Sequence, residues 1–405
     1  MGLKVAIAKP DYRIHGGYEI VLEQIADGLR RRGHLVEMAM LDATGDPTSH
    51  LAVPVPESLR RLLPEFFNHA NLALRFEEMD LSAYDVVMST QPPSYAVRHP
   101  RHLSLFSHHL KICYDLELAA TAAGLYPGEL LHQGADIVRE IDQAYLTPEL
   151  PILACSKHVK QRFADYNGLV DNVGYYYAGI DHEYFNYRGP SAYRSPISVG
   201  RHEFPKRPEL FAHAMKHLPE MEGRIVGIGG RTEAVKQIDT YLTYQHFVAE
   251  KEVNDTELWQ KLVFETERLE IPRLERELAA RSIRSNVHFT GRVSKEQLVH
   301  EYAHALCVVC PSYEEDYGLT AIEAMAFGKP VIACEDGGGY RELITDGVDG
   351  FIVSPTGEAI AEAIRKISDP EVAREMGRNA YRKSREFTWT RAFDQIETAL
   401  LAVSA

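Results

Sequence analysis

Cysteine is scarce in this chain of 405 residues: five are present, and none has the paired spacing of a disulfide framework. That usage fits a reducing compartment, and a cytoplasmic protein is expected. Cys307-x-x-Cys310 has the separation of a metal or redox pair. No second Cys/His pair lies nearby, and Cys307, Cys310 and Cys334 all sit in apolar runs, so buried strand packing is expected and no metal site is predicted. No apolar run is long enough to cross a bilayer, and Met1-Gly2-Leu3-Lys4 leads directly into a strand, so neither a transmembrane segment nor a signal peptide is expected. Positive charge is in deficit, with 44 Lys and Arg against 58 Asp and Glu and a net charge of −14. This argues against a general nucleic-acid binder and leaves room for a local basic site for phosphate. Low-complexity tracts and repeats of solenoid period are absent. What is present is ordinary for a globular protein, 45% hydrophobic and 25% charged residues, at a length sufficient for two or three domains.

The opening stretch reads as strand, glycine loop, helix, strand. Lys4–Ala8 is a short apolar strand, Gly16-Gly17 follows, and Ile20, Val21, Ile25 and Leu29 recur at helical spacing. Arg30-Arg31-Arg32-Gly33 ends that helix with cations at the negative end of its dipole and a glycine cap. This is the start of a doubly wound α/β domain. Further strands are expected at 85–88, 103–106 and 152–154, and Arg188-Gly189-Pro190-Ser191 reads as an interdomain hinge. A second strand and helix series starts at 197–200 and includes 224–230, 286–289, 305–310, 331–334 and 350–353. Residues 232–281 are highly charged and are expected to form a solvated helical hairpin. Residues 371–405 read as terminal helices.

The loop 311–323, PSYEEDYGLTAIE, carries the most chemistry. It follows the apolar run ALCVVC, which suits a buried parallel strand, and it runs into Leu319, Ile322, Ala326 and Phe327 at helical spacing. The loop therefore lies at the carboxyl edge of a sheet, where open α/β sheets bind ligands. A helix N-terminus there suits a phosphate, and the neighbouring carboxylates suit sugar hydroxyls. One loop thus offers groups for both halves of a sugar nucleotide.

Five ordered stretches then add a family resemblance. They are Gly16-Gly17 with Gly33-His34; Ala154-Cys155-Ser156-Lys157-His158-Val159 with Gly179-Ile180-Asp181 and Phe185; Val199-Gly200-Arg201 with Lys206; Val287 to Val293; and Glu315-x7-Glu323 running into Gly328-x-Pro330-Val331. In that order they resemble the retaining glycosyltransferases of GT-B architecture in family 4. The resemblance implies two Rossmann-like doubly wound domains facing a central cleft. The boundaries expected are 1–190 for an acceptor-binding domain, 196–375 for a nucleotide-sugar-binding domain with the charged insertion at about 232–281, and 376–405 for C-terminal helices. A return of those helices to the first domain is left open.

The resemblance also implies roles. Arg201 and Lys206 would clamp the diphosphate, a task suited to cations beside an anionic leaving group. Glu323 would accept both ribose hydroxyls, and Glu315 would face the donor sugar. Asp316, Tyr317, Gly318, Leu319 and Thr320 would bring backbone amides near sugar and phosphate. The backbone of Gly291, Arg292 and Val293 would frame the base. Gly16 and Gly17 would allow close backbone approach to phosphate or sugar. A catalytic histidine is expected at the end of a first-domain strand, with His108 and His109 both candidates, and Tyr114-Asp115 beyond them is a candidate contact for sugar or acceptor. The implied reaction is metal-independent transfer of a hexose-type sugar from a nucleoside-diphosphate sugar to an acceptor hydroxyl, with retention. No cofactor is expected beyond that substrate, and no Asp-x-Asp motif occurs. The acceptor is a small molecule, a saccharide or a lipid-linked species. A sugar-nucleotide epimerase, a glycosyl phosphorylase or a catalytically silent sugar-nucleotide-binding subunit shares the architecture. Tyr177-Ala178 departs from the Pro-Asn that the family often shows at that turn.

Overall fold

The computed structural model describes residues 2–14, 16–186, 195–260 and 265–405. The hinge expected at 188–191 lies outside them. The chain divides into one unit of Met1–Gly179 with Thr388–Ala405 and a second of Ile180–Phe387.

The first unit is built on β1 (Lys4–Asp11), β2 (Leu35–Asp42), β3 (Val86–Ser89), β4 (His102–Ser104), β5 (Ile152–Ala154) and β6 (Val173–Tyr175). They form one sheet in the order β2-β1-β3-β4-β5-β6 with every pairing parallel. Val5 to Ala8 are wholly buried, as a central parallel strand covered on both faces requires. Helix Gly17–Arg31 ends just before Gly33, whose φ of +94° is a left-handed conformation that suits glycine. The last helix, Trp389–Ser404, packs on it so closely that a Cβ at Gly28 would lie 2.3 Å from the Phe393 ring. Arg32 adds ion pairs to Asp394 at 2.6 Å and Glu397 at 2.5 Å. Strand β6 is absent from the expected strands, because three residues with a central glycine show no usable alternation.

The second unit contains β7 (Ser195–Val199), β8 (Gly223–Val226), β9 (Val287–Gly291), β10 (Ala305–Cys310), β11 (Val331–Cys334) and β12 (Gly350–Val353). Its sheet is also parallel throughout, in the order β12-β11-β10-β7-β8-β9. All six residues of β10 are buried, and the cysteines are free and buried, as strand packing predicts. The charged stretch departs from the expected solvated hairpin. It contains helices Thr232–Tyr244, Asp255–Gln260 and Ile271–Ala280, and the backbone turns at Glu250 and Glu270 with φ of 51° and 46°. These helices bury Val235, Ile238, Leu242, Leu258, Trp259, Leu274 and Leu278. The apolar residues recur at helical spacing, so a buried stripe lies within a segment whose composition is dominated by charge.

Candidate active site

In the second sheet the chain moves outward from β7 to β9 on one side and from β10 to β12 on the other, so the strand order reverses between β7 and β10. Loops leaving the carboxyl ends of two such strands diverge and create a binding crevice. The loop after β7 carries Arg201 and Lys206, and the loop after β10 carries Glu315, Asp316, Tyr317 and Gly318. A cavity of about 20 Å³ is lined by Arg201, His202, Lys206, Ser312 and Tyr340. Lys206 Nζ is paired with the Glu315 carboxylate, so the residues expected at phosphate and at sugar meet directly. Arg201 is exposed and has no ion-pair partner among the described residues.

Lys206 is presented by the single turn Phe204–Lys206, and Arg207 follows with φ of 45°. A left-handed conformation costs a non-glycine residue about 1–2 kcal/mol. Buried bonds offset it: Arg207 Nε donates to Pro311 O at 2.6 Å, and its two terminal nitrogens donate to the Asp336 carboxylate at 2.8 and 2.5 Å. Arg207 thus ties the loops that follow β7, β10 and β11. In the sequence Arg207 carries no mark of this role, because it adjoins Lys206 in an ordinary basic pair.

Gly337-Gly338-Gly339 supports the same loop. Gly339 N donates to Glu315 O at 2.7 Å and Glu314 N to Asp336 O at 2.9 Å. A Cβ on Gly338, where φ is +57°, would lie 2.5 Å from Glu315 O. Three consecutive glycines directly after a buried strand were the available signal.

Helix Leu319–Ala326 starts at Gly318, whose φ of +104° and proximity to the Tyr340 ring, 2.6 Å from a built Cβ, leave no room for another residue. Gly318 has no side chain with which to cap this N-terminus, and Leu319 and Thr320 stand half-buried in its first turn. One turn on, Glu323 Oε2 accepts a hydrogen bond from Tyr302 Oη at 2.7 Å. Burial raises the Glu323 carboxyl to about 7, against the opposing effects of the Tyr302 hydroxyl and Lys295, although part of its surface stays accessible. Gly291 ends β9, two strands from β7, with φ of +72°, and its carbonyl accepts Gly227 N at 3.0 Å. Arg292 beside it is exposed and Val293 half-buried.

In the first unit, Gly16 caps helix Gly17–Arg31, and its N–H donates to Glu19 Oε2 at 3.0 Å. Glu19 in turn pairs with Lys9 at 3.4 Å. A Cβ at Gly17 would meet nothing within 4 Å, so internal packing does not require glycine there. The histidines separate clearly. His109 is fully buried among Phe106, Tyr114, Phe163 and Tyr166, its Nε2 lies 2.9 Å from Asn167 Oδ1, and burial lowers its pKa to about 4. His108 is half-buried with Nδ1 2.7 Å from the His109 carbonyl. A carbonyl only accepts, so Nδ1 carries the proton and Nε2 of the neutral ring is an acceptor. Tyr114 and Asp115 are engaged internally. Tyr114 Oη donates to the buried Asp142 at 2.8 Å, and Asp115 pairs with Arg162 at 2.8 Å and Lys111 at 3.3 Å.

Residues 270–383 match the family model described as Glycosyl transferases group 1. A D-inositol 3-phosphate glycosyltransferase from Streptomyces griseus is 41% identical over 118 residues, covering 28% of this chain and 25% of that protein's own length. Among solved structures, sucrose-phosphate synthase from Thermosynechococcus elongatus superposes with a TM-score of 0.67 at 18% identity, covering 99% of this chain and 98% of the other. HepE from Anabaena, in complex with UDP and glucose, gives 0.62 at 17%, covering 99% and 100%. Two six-stranded parallel sheets with these likenesses give the chain the GT-B fold, and within it residues 270–383 match the glycosyl transferases of group 1.

Proposed function

We propose that this chain transfers a sugar from a nucleoside-diphosphate sugar to an acceptor hydroxyl, with retention at the anomeric carbon and without a bound metal. The observation that carries the proposal is the Lys206–Glu315 pair at the β7/β10 reversal, with Arg201 lining the same cavity as Lys206 and helix Leu319–Ala326 starting at the end of the Glu315 loop. Departure of a nucleoside diphosphate leaves negative charge on phosphate oxygens. Two cations and free helix amides stabilise that charge where it develops. Glu315 accepts hydroxyl hydrogen bonds from the sugar, and Glu323, one helical turn along, accepts them from the ribose. The departing diphosphate takes the acceptor proton on the face it leaves, which gives retention. In the first unit Gly17 offers unobstructed backbone, and His108 Nε2 offers an acceptor for a hydroxyl. The named activity of the S. griseus relative and the UDP and glucose in HepE support this class of reaction.

The test is incubation of the protein with a panel of sugar nucleotides and hydroxylated acceptors in excess chelator, with the product's anomeric configuration read by NMR. A retained linkage formed in chelator is the expected result. Inversion refutes retention, loss of transfer restored by magnesium or manganese refutes the metal-free site, and a donor stripped to free sugar in every acceptor mixture refutes transfer. Binding has its own measure: a donor at a hundred times its dissociation constant adds about 2.7 kcal/mol to stability.

A further inference from the structure

Helix Asp255–Gln260, within the charged stretch, is moored at its start. Asn254 Oδ1 accepts Glu257 N at 2.9 Å, Asp255 Oδ1 meets His213 Nδ1 at 2.6 Å, and Asp255 Oδ2 accepts Gly357 N at 3.2 Å. His213 belongs to helix Pro208–Lys216 and Gly357 begins helix Gly357–Ile367, so two core helices hold this short one in place. Trp259 is thereby set beside both loops of the candidate active site. Its ring stacks on Phe204 at 4.9 Å and 13°, and its Nε1–H donates to Phe204 O at 3.0 Å. The Tyr313 ring lies 5.0 Å away. The Arg207 guanidinium stands 5.2 Å from the Trp259 ring and 5.7 Å from that of Tyr313. Phe204 precedes Lys206 by two residues, and Tyr313 precedes Glu315 by two. The two backbones are joined where Tyr313 N donates to Pro205 O at 2.7 Å.

We propose that Trp259 is a positioning residue for the diphosphate site, and that the charged stretch braces that site from behind. This rests on the donor-site reading above. Trp259 contacts neither Lys206 nor Glu315 in the interactions described; it acts through Phe204 and Tyr313. Within the turn Phe204–Lys206 the backbone bond is Lys206 N to Glu203 O at 2.9 Å, and Pro205 O accepts from Tyr313 N. The stacked indole, bonded to the carbonyl of Phe204, adds a side-chain brace to this turn and helps to set the point from which Lys206 Nζ reaches out. Tyr313 receives the same indole and carries the setting to the loop of Glu315. A binding group displaced by an ångström loses much of its contribution, so the effect belongs to affinity for the diphosphate and not to the nucleoside.

The chain has two tryptophans, Trp259 and Trp389, and this makes the test direct. In a Trp389→Phe background Trp259 is the sole indole fluorophore. Its emission is expected to change on titration with UDP, GDP or ADP and to saturate with the calorimetric isotherm of whichever binds. In the otherwise native chain, Trp259→Ala is expected to weaken that diphosphate by roughly tenfold to a hundredfold and leave the parent nucleoside unchanged. Trp259→Phe keeps a stacking ring without the N–H and is expected to recover affinity to within roughly threefold of the native protein. Binding is measured well below each variant's melting temperature. A Trp259→Ala protein that melts lower yet binds the diphosphate as the native chain does overturns the proposal, as does emission from Trp259 unmoved by saturating diphosphate. If the native protein binds none of the three diphosphates, the donor-site reading itself falls and the positioning role with it.

Discussion

Replacing Glu315 by glutamine should tighten the binding of a nucleoside diphosphate. Lys206 and Glu315 are paired with 27% and 15% of their side chains exposed. A diphosphate that takes Lys206 must compete with that carboxylate and then accept its negative charge as a neighbour. Fully exposed pairs contribute about 0–1 kcal/mol. Unit charges about 4 Å apart interact by about 4 kcal/mol at the effective dielectric of a protein surface, before desolvation is subtracted. A partly shielded pair falls between these, at about 1–2 kcal/mol, which corresponds to about 5- to 30-fold in affinity. Glutamine keeps the length and removes the charge, so calorimetry with the nucleoside diphosphate should show a gain of that size. The sugar nucleotide should gain less, because its hydroxyls lose a charged acceptor, and turnover should fall. In a Lys206→Ala background the gain should shrink, since one of the two paired charges is already missing. Unchanged or weaker diphosphate binding in folded Glu315→Gln would refute the reasoning, for it would mean that the Lys206–Glu315 pair lies outside the phosphate site.

Lys206→Ala alone should cost the diphosphate about 1.5–3 kcal/mol while sparing the nucleoside; equal losses for both ligands would make the lysine structural. Glu323 accepts from both ribose hydroxyls with two oxygens only when ionised, a protonated carboxyl keeping one good acceptor, and burial holds it near 7, so nucleotide affinity should rise between about pH 6 and about pH 8 and lose that rise in Glu323→Gln. The stability sign is the reverse. With a folded pKa above the usual 4.5, Glu323 favours the folded state fully below that value and loses the contribution as pH rises through about 7, an effect that melting curves of native and Glu323→Gln protein across this range should separate. His109→Ala should destabilise by about 2–4 kcal/mol through the cavity it leaves among four aromatic rings, measured by denaturant unfolding. His108→Ala should stay folded and lose turnover by roughly a hundredfold, as removal of a positioned polar contact can; normal turnover would move the first unit's contribution to Gly16-Gly17.

Much of the second sheet was legible because its inner strands β10 and β11 are wholly buried and read as unbroken apolar runs. The carboxylate loop was legible because it joins such a run to a helical repeat. Other parts were not. His108 and His109 are adjacent in a segment whose side chains alternate, and nothing local says which one faces the core. The tertiary packing of Phe106, Phe163 and Tyr166 decides it. Arg207 and Asp336 are separated by 129 positions, so their bidentate pair has no local signature. The charged stretch misled for a different reason. Counting charge over residues 232–281 hides Leu258 and Trp259, which are fixed by contacts far along the chain.

The first unit is discontinuous, and its missing piece is the helix Trp389–Ser404. During synthesis on a ribosome, residues 1–179 emerge long before that helix exists. Helix Gly17–Arg31 then waits with Gly28 uncovered, and Arg32 and His34 wait for Glu397. The second unit, continuous from Ile180 to Phe387, has all its strands available earlier than the first has all its packing. The half that begins first is therefore completed last, and a stalled or C-terminally clipped chain yields a finished second unit joined to an unfinished first one. Such a product keeps Arg201, Lys206 and Glu323, so it retains the residues proposed to bind the donor while the unit carrying His108 lacks its closing helix.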